Sequence, residues 1–335
     1  NSFTVTFKKW DAAKLTVIVT EISGGYYDIE TEEGQSVDLT EKFSLSAAEF
    51  SATFTPEGGE AQSVSNLTAF APTQNGVLQL TVSKDGYTET QMLVNVRILT
   101  ESYGTFGFAD TSRYTLSAKN GTTTYDVTEI TDGDYAAIKS EITGTYPKLT
   151  IQSEDLKALA NFDYITVRYK VAYSASGGSL GLKGTQGDVY NGASSTTSDN
   201  GWTISTWRKD YVHPTNGNMI GNWIWDYIAQ NGIVEININA WNGAQTVTTL
   251  TVAEITGGFD DIESDGAAIN LAEKYGSGLV RAVYIPTDGE AQTLEGEALK
   301  TFAGDKSGTL QLVFAVNGYK TTVFDLAYTV TDAAE

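Results

Sequence analysis

Apolar and polar residues alternate in short runs along the first hundred positions, as in Leu15-Thr16-Val17-Ile18-Val19, Phe50-Ser51-Ala52-Thr53-Phe54 and Val77-Leu78-Gln79-Leu80-Thr81-Val82. A period of two sends every second side chain to one face, so these runs predict strands with one buried side. Gly24-Gly25, Gly58-Gly59, Asn75-Gly76 and Asp85-Gly86 punctuate the runs and supply the positive-φ positions that hairpin turns need. Strand, turn and strand at this spacing predict a small antiparallel sandwich.

The same pattern returns at the end of the chain. Gly59-Glu60-Ala61-Gln62, Gly76-Val77-Leu78-Gln79-Leu80 and Asp85-Gly86-Tyr87 recur as Gly289-Glu290-Ala291-Gln292, Gly308-Thr309-Leu310-Gln311-Leu312 and Asn317-Gly318-Tyr319, at an offset near 232 that slips by two at the first motif. Upstream, Glu21-Ile22-Ser23-Gly24-Gly25-Tyr26 matches Glu254-Ile255-Thr256-Gly257-Gly258-Phe259, and Glu41-Lys42-Phe43 matches Glu273-Lys274-Tyr275. A duplication bracketing a dissimilar insert implies scaffolds around a cargo and directs the search for function to the middle.

That middle differs in pattern. Tyr164 to Val171 and Ile233 to Asn239 alternate as longer strands, and a stretch rich in Gly, Ser, Thr and Asn, 174–201, lies between them. Long strands with polar connections predict a jelly roll, with binding on loops or on one sheet. Ser153 is placed to N-cap one or two helical turns ending near Leu159. Trp223 to Ile228 reads either as a strand or as a helix ending at Gly232. The fold class expected is all-β, two immunoglobulin-like sandwiches flanking a central jelly roll, divided as 1–101, 102–242 and 243–335.

Length and composition fit this division: 335 residues exceed one ordinary core, and 33 Gly and 18 Tyr favour strands and tight turns. No apolar run is long enough for a membrane helix, and no basic and apolar leader opens the chain, so any export signal or anchor is expected outside it. The absence of cysteine excludes disulfides and thiolate metal sites. The net charge of −21 argues against nucleic acid as a partner. Between Tyr103 and Trp241 the balance is 14 acidic to 10 basic residues, so the middle suits an uncharged ligand better than the flanks do.

Five of the six tryptophans, Trp202, Trp207, Trp223, Trp225 and Trp241, fall within forty residues. A sugar ring presents a face of C–H bonds on which indole and phenol rings stack, while amides and carboxylates bond its hydroxyls. The ligand-binding candidates are therefore Trp202, Trp207, Trp223, Trp225, Tyr190, Asp210, Tyr211, His213, Asn216 and Asn218, with Trp202 and Trp207 foremost; Trp241 is assigned to packing. The competing reading makes the same tryptophans core. A glycosidase would need two carboxylates from Asp188, Asp210, Asp226 and Glu235, and a serine relay would have to use His213, the only histidine, without a nucleophile elbow; no enzyme is expected. No cofactor is expected; the one metal considered is a structural Ca²⁺, at the acidic turns beginning Asp28 and Asp260 or at Asp132-Gly133-Asp134.

The endings Asn75 to Tyr87 and Gly308 to Tyr319, each followed by a strand, Met92 to Val96 and Phe324 to Val330, resemble the close of bacterial immunoglobulin-like surface domains. That resemblance implies a spacer role at a cell surface. The plan as a whole is similar to surface starch-adherence and related polysaccharide-binding proteins of gut Firmicutes, which set a carbohydrate-binding β-sandwich among immunoglobulin-like domains. It implies non-catalytic extracellular binding of a neutral polysaccharide or oligosaccharide, α-glucan favoured, by a monomeric part of a larger multidomain surface protein. A structural adhesin or filament protein with a protein target is the alternative.

Overall fold

The computed structural model describes residues 26–83, 85, 86, 88–173, 178–189, 193–212, 217, 220–240 and 247–331. The fold is all-β, in two compact units, Asn1–Ile98 and Leu99–Glu335. The first carries an immunoglobulin-like sheet of β1 (Ile29–Glu32), β2 (Phe50–Pro56), β3 (Gln62–Ser63), β4 (Gly76–Val82) and β5 (Thr90–Leu99), in the order β1-β5-β4-β2-β3. Alternation does what the sequence predicts: Leu78, Leu80, Val94 and Val96 are buried on one face. The helix α1 (Leu39–Phe43) and a bridge between Val37 and Phe70 lie across that face, and Leu39, Phe43 and Phe70 complete the core.

The second unit opens with a jelly-roll sandwich. Its strands are β6 (Thr105–Gly107), β7 (Thr115–Asn120), β8 (Thr123–Tyr125), β9 (Val127–Asp132), β10 (Tyr135–Thr143), β11 (Lys148–Gln152), β12 (Tyr164–Tyr173), β13 (Gly178–Gly184), β14 (Gly187–Val189), β15 (Ala193–Asp199), β16 (Trp202–Arg208), β17 (Ile233–Ala240) and β18 (Val247–Gly258), with helix α2 (Ile220–Asn231) before β17. A seven-stranded sheet runs β15-β16-β12-β18-β10-β9 with β6 beside β18, and a six-stranded sheet runs β14-β13-β17-β11-β7-β8. Ile165, Val167, Leu250 and Val252 from one sheet meet Leu149, Ile151, Val234 and Ile236 from the other in a single core. Ser153 caps a 3₁₀ segment, Glu154–Asn161, by accepting from the Asp155 amide at 3.2 Å. Three strands, β13, β14 and β15, run within the 174–201 stretch expected to be a loop, because serine and threonine are as acceptable in an exposed strand as in a turn.

The chain then repeats itself. Strands β19 (Ile262–Ser264), β20 (Leu279–Pro286), β21 (Gln292–Leu294), β22 (Gly308–Phe314) and β23 (Thr322–Val330), with helix α3 (Leu271–Tyr275), give the order β19-β23-β22-β20-β21. That is the first unit's order, down to the bridge Ile269 to Phe302. The two-residue slip of the repeat arises between helix and strand: residues 276–278 connect α3 to β20 where 44–49 connect α1 to β2, and a bulge between Leu279 and Arg281 restores one residue.

A boundary at residue 242 does not separate these parts. Strand β18, counted by the sequence reading with the third domain, sits mid-sheet between β12 and β10. Its last residues, Gly257 and Gly258, lie against the rings of Phe162 and Tyr164, where a Cβ would collide with either ring. This glycine pair permits close packing of strand on ring. Phe162 passes through the gap into the aromatic core of the last part, 4.7 Å from Phe259 and 5.5 Å from Phe324. Tyr103 joins the same core, its amide donating to Thr322 Oγ1 at 2.8 Å.

Candidate functional site

The foremost tryptophans do not offer a stacking face. Trp207 is on the inner side of β16, opposite Ile165, and is 0% exposed. Trp225 is 2% exposed and its indole N–H donates to the Phe162 carbonyl at 2.7 Å, the polar tip of a core ring satisfied internally. Trp202 projects from the opposite face of β16 into a small cluster with Ala137, Ala253, Ile130 and Tyr135. Its solvent side is roofed by the Lys170 ammonium, 4.2 Å from the ring and itself tied to Asp132 at 2.7 Å. The sequence reading of Trp202, Trp207 and Trp225 as ligand platforms is corrected accordingly: each ring is covered by protein. Trp223 and Tyr211 are half-buried against the main core, and Asp210 is exposed with a carboxylate oxygen 3.3 Å from Arg208 Nε. Tyr190, His213, Asn216 and Asn218, with Trp241, lie outside the described residues.

The fold brings together a different set. Val234, Ile236 and Ile238 of β17 enter the core, so Glu235 and Asn237 occupy the outer face of the six-stranded sheet. Both are nevertheless buried, Glu235 at 6% exposure and Asn237 at 0%. Lys148 of β11 and Lys183 of β13 reach the Glu235 carboxylate from either side, at 3.5 and 3.6 Å, and Thr150 Oγ1 donates to it at 3.4 Å. The Lys183 ammonium also lies 5.1 Å from the centre of the Tyr227 ring.

Helix α2 brings the aromatic side chains here. Ile224, Trp225 and Ile228 fill the end of the sandwich core, which turns Trp223 and Tyr227, one turn apart, to another side where both stay half-buried. The Thr185 amide donates to the Trp223 carbonyl at 3.0 Å and ties the helix to the β13–β14 turn. Gly184 permits this approach, since a Cβ there would stand 2.8 Å from that of Trp223. Sequence reasoning missed Lys148, Lys183 and Asn237, paired Tyr227 with Trp223 without placing it among the ligand candidates, and weighed Glu235 only as a hydrolase carboxylate. The polar positions of Ile-Val-Glu-Ile-Asn-Ile-Asn were the available signal.

The recurring acidic turns hold backbone. Asp28 Oδ1 accepts from the Asn95 amide at 3.1 Å, and Asp261 Oδ1 accepts from the equivalent Ala327 amide at 2.8 Å. Asp260 pairs with Arg208, and its amide donates to Asp163 Oδ2 at 3.0 Å. Among the described residues, no group of three or more carboxylates or imidazoles is arranged to hold a metal.

The chain matches no family model and no curated protein. Among solved structures, a fragment comprising domains C and D of another protein superposes with a TM-score of 0.28 at 11% identity, over 62% of this chain and 89% of that one. BcpA, the major pilin subunit of Bacillus cereus, gives 0.17 at 7% identity over 85% of this chain and 93% of its own. The Bacteroides ovatus mixed-linkage glucan utilization locus SGBP-B, solved with a mixed-linkage heptasaccharide, gives 0.15 at 9% over 95% and 69%. Likenesses of this size carry no argument about fold or function, which rest on the sheets and side chains themselves.

Proposed function

We propose that the protein is a non-catalytic, extracellular glycan-binding protein whose jelly roll receives an uncharged saccharide where α2 meets the outer face of the six-stranded sheet. The supporting observation is the pairing of two half-buried rings, Trp223 and Tyr227, with the Lys183–Glu235 ion pair. Rings of that kind offer a stacking surface, and the partly exposed Lys183 ammonium beside them offers donors to vicinal hydroxyls. Glu235 is buried between two ammonium groups, an arrangement that holds those lysines in place and is unsuited to cleaving a glycosidic bond. Shallow contact with a hydrated ligand gives affinities on the order of micromolar or weaker for one site. α-Glucan is the ligand to test first.

Affinity electrophoresis in gels containing starch, cellulose or xylan tests the reading. Retardation in starch is expected, with at least tenfold weaker apparent affinity for Trp223→Ala and Tyr227→Ala chains that keep the wild-type circular dichroism. Unretarded migration of the wild-type chain in every glycan would sink it. The second reading, a structural surface protein with a protein target, is favoured by the burial of Trp202, Trp207 and Trp225 and by the aromatic seam at Phe162.

A further inference from the structure

Asn237 poses a problem that glycan binding does not address. Its side chain is 0% exposed, and neither its amide nitrogen nor its amide oxygen has a hydrogen-bond partner. Leaving both ends of a buried amide unsatisfied is costly, and such groups in native proteins call for a chemical explanation. Its surroundings supply one. Lys148 is its direct cross-strand partner in the β11–β17 pairing, so both side chains rise from the same face of the sheet. Cβ atoms of such a pair stand about 4.5–5.5 Å apart, a gap that a lysine side chain spans. Glu235, two residues before Asn237 on the same face and also buried, has Oε1 3.5 Å from Lys148 Nζ, outside hydrogen-bond geometry.

We propose that Lys148 and Asn237 form an intramolecular amide bond, with Glu235 as the proton shuttle. Glu235 takes a proton from the Lys148 ammonium. The freed amine attacks Asn237 Cγ and a new Nζ–Cγ bond forms; Nζ then gives up a second proton through Glu235, the Cγ–Nδ2 bond breaks, and Nδ2 leaves with both shuttled protons as an ammonium ion. Lysine ammonium and carboxamide thus become a secondary amide and ammonium, without oxidant, reductant or cofactor. Burial favours the step by keeping water from the carboxamide and by strengthening the pull of Glu235 on the ammonium proton. Lys183 and Thr150, both on Glu235 Oε2, hold the carboxylate with Oε1 toward Lys148. The bond would join β11 to β17 covalently, a function for this face independent of any saccharide.

Intact-mass spectrometry of the purified chain reads the bond directly. The expected mass is the sequence mass less one ammonia, about 17 Da, and tryptic digestion is expected to give a branched peptide joining Lys148 to Asn237, uncut after Lys148. Lys148→Arg, Asn237→Ala and Glu235→Gln chains are each expected at their full sequence masses. A wild-type chain at full sequence mass, or a branch through Lys183, overturns the assignment of the bond; a Glu235→Gln chain that still loses ammonia overturns the shuttle. The wild-type measurement does not depend on any variant folding. Failure to bind glycan leaves this proposal standing, and an unmodified mass leaves the glycan reading standing.

Discussion

The two immunoglobulin-like parts share a strand order, a bridge, a cap position and an aspartate clamp, yet they are finished differently. The first closes its core with its own residues, Ile29, Leu39, Phe43, Phe50, Phe70 and the alternating faces of β4 and β5. The second builds an aromatic core of Phe259, Tyr275, Tyr284, Phe302, Phe314 and Tyr328, and takes in Phe162 and Tyr103 from the neighbouring sandwich. Register and turns thus fix the fold, while the size of the rings on the buried face decides whether that core reaches beyond its own sheet.

The largest test of that contrast is Phe162→Ala. The ring is 0% exposed and touches Phe259, Phe324 and Tyr103 at centroid distances of 4.7, 5.5 and 5.1 Å. Truncating a phenylalanine so placed costs about 3–5 kcal/mol. In calorimetry the transition of the second unit is expected to fall in temperature and to split into two, as the sandwich and the last sheet lose their shared core. A uniform downward shift without splitting would mean that the seam is held by the backbone contacts at Gly257 and Lys320 instead.

Much of this architecture was legible in the sequence, because period-two alternation and an internal repeat are local signals. Leu78/Leu310 and Leu80/Leu312 could be placed on buried faces without coordinates. The seam was not legible: the match of Glu21–Gly25 to Glu254–Gly258 made β18 read as the opening of a repeat, although its pairing partners are in the sandwich. For the site, Trp202 and Trp207 read as rings bordering the polar stretch; they sit on opposite faces of β16, and the sequence carries no information about what covers each. Burial of Glu235 and Asn237 on an outer face comes from residues distant in sequence, Lys148 and Lys183 among them.

A smaller difference between the copies is one hydroxyl. Phe43 of the first corresponds to Tyr275 of the second, whose hydroxyl is buried and makes no hydrogen bond. Removing an unsatisfied buried hydroxyl is expected to stabilise the second unit by about 1 kcal/mol in Tyr275→Phe, measured by denaturant midpoint. Burial first, then Asp163 and Asp260, raises the Tyr275 pKa above the usual phenol value. Tyrosine here is therefore more costly as pH rises past the phenol range, and the advantage of Tyr275→Phe is expected to grow in alkali. An equal midpoint for the two chains at all pH values would show that the hydroxyl is solvated.

The smallest expected effect concerns the caps. Asp38 accepts from the Thr40 and Glu41 amides at 2.9 and 3.2 Å, whereas its counterpart Asn270 accepts from the Glu273 amide at 3.1 Å. The Thr40 hydroxyl first, then the Glu41 amide, lowers the Asp38 pKa from the ordinary 3.8. A carboxyl with a lowered folded-state pKa contributes stability above its unfolded value, and the contribution is lost as pH falls through the folded one. The first copy therefore carries an acid-sensitive cap and the second a cap indifferent to pH, since an amide does not titrate. Replacing Asp38 with Asn is expected to lower the melting temperature of the first unit slightly at pH 7, by an amount that shrinks as pH falls below 3.8 and through the lowered folded-state value, with the second unit unmoved throughout. A difference between Asp38→Asn and wild type that persists unchanged in acid would assign the effect to local geometry, because only the charged form of the aspartate distinguishes the two caps electrostatically.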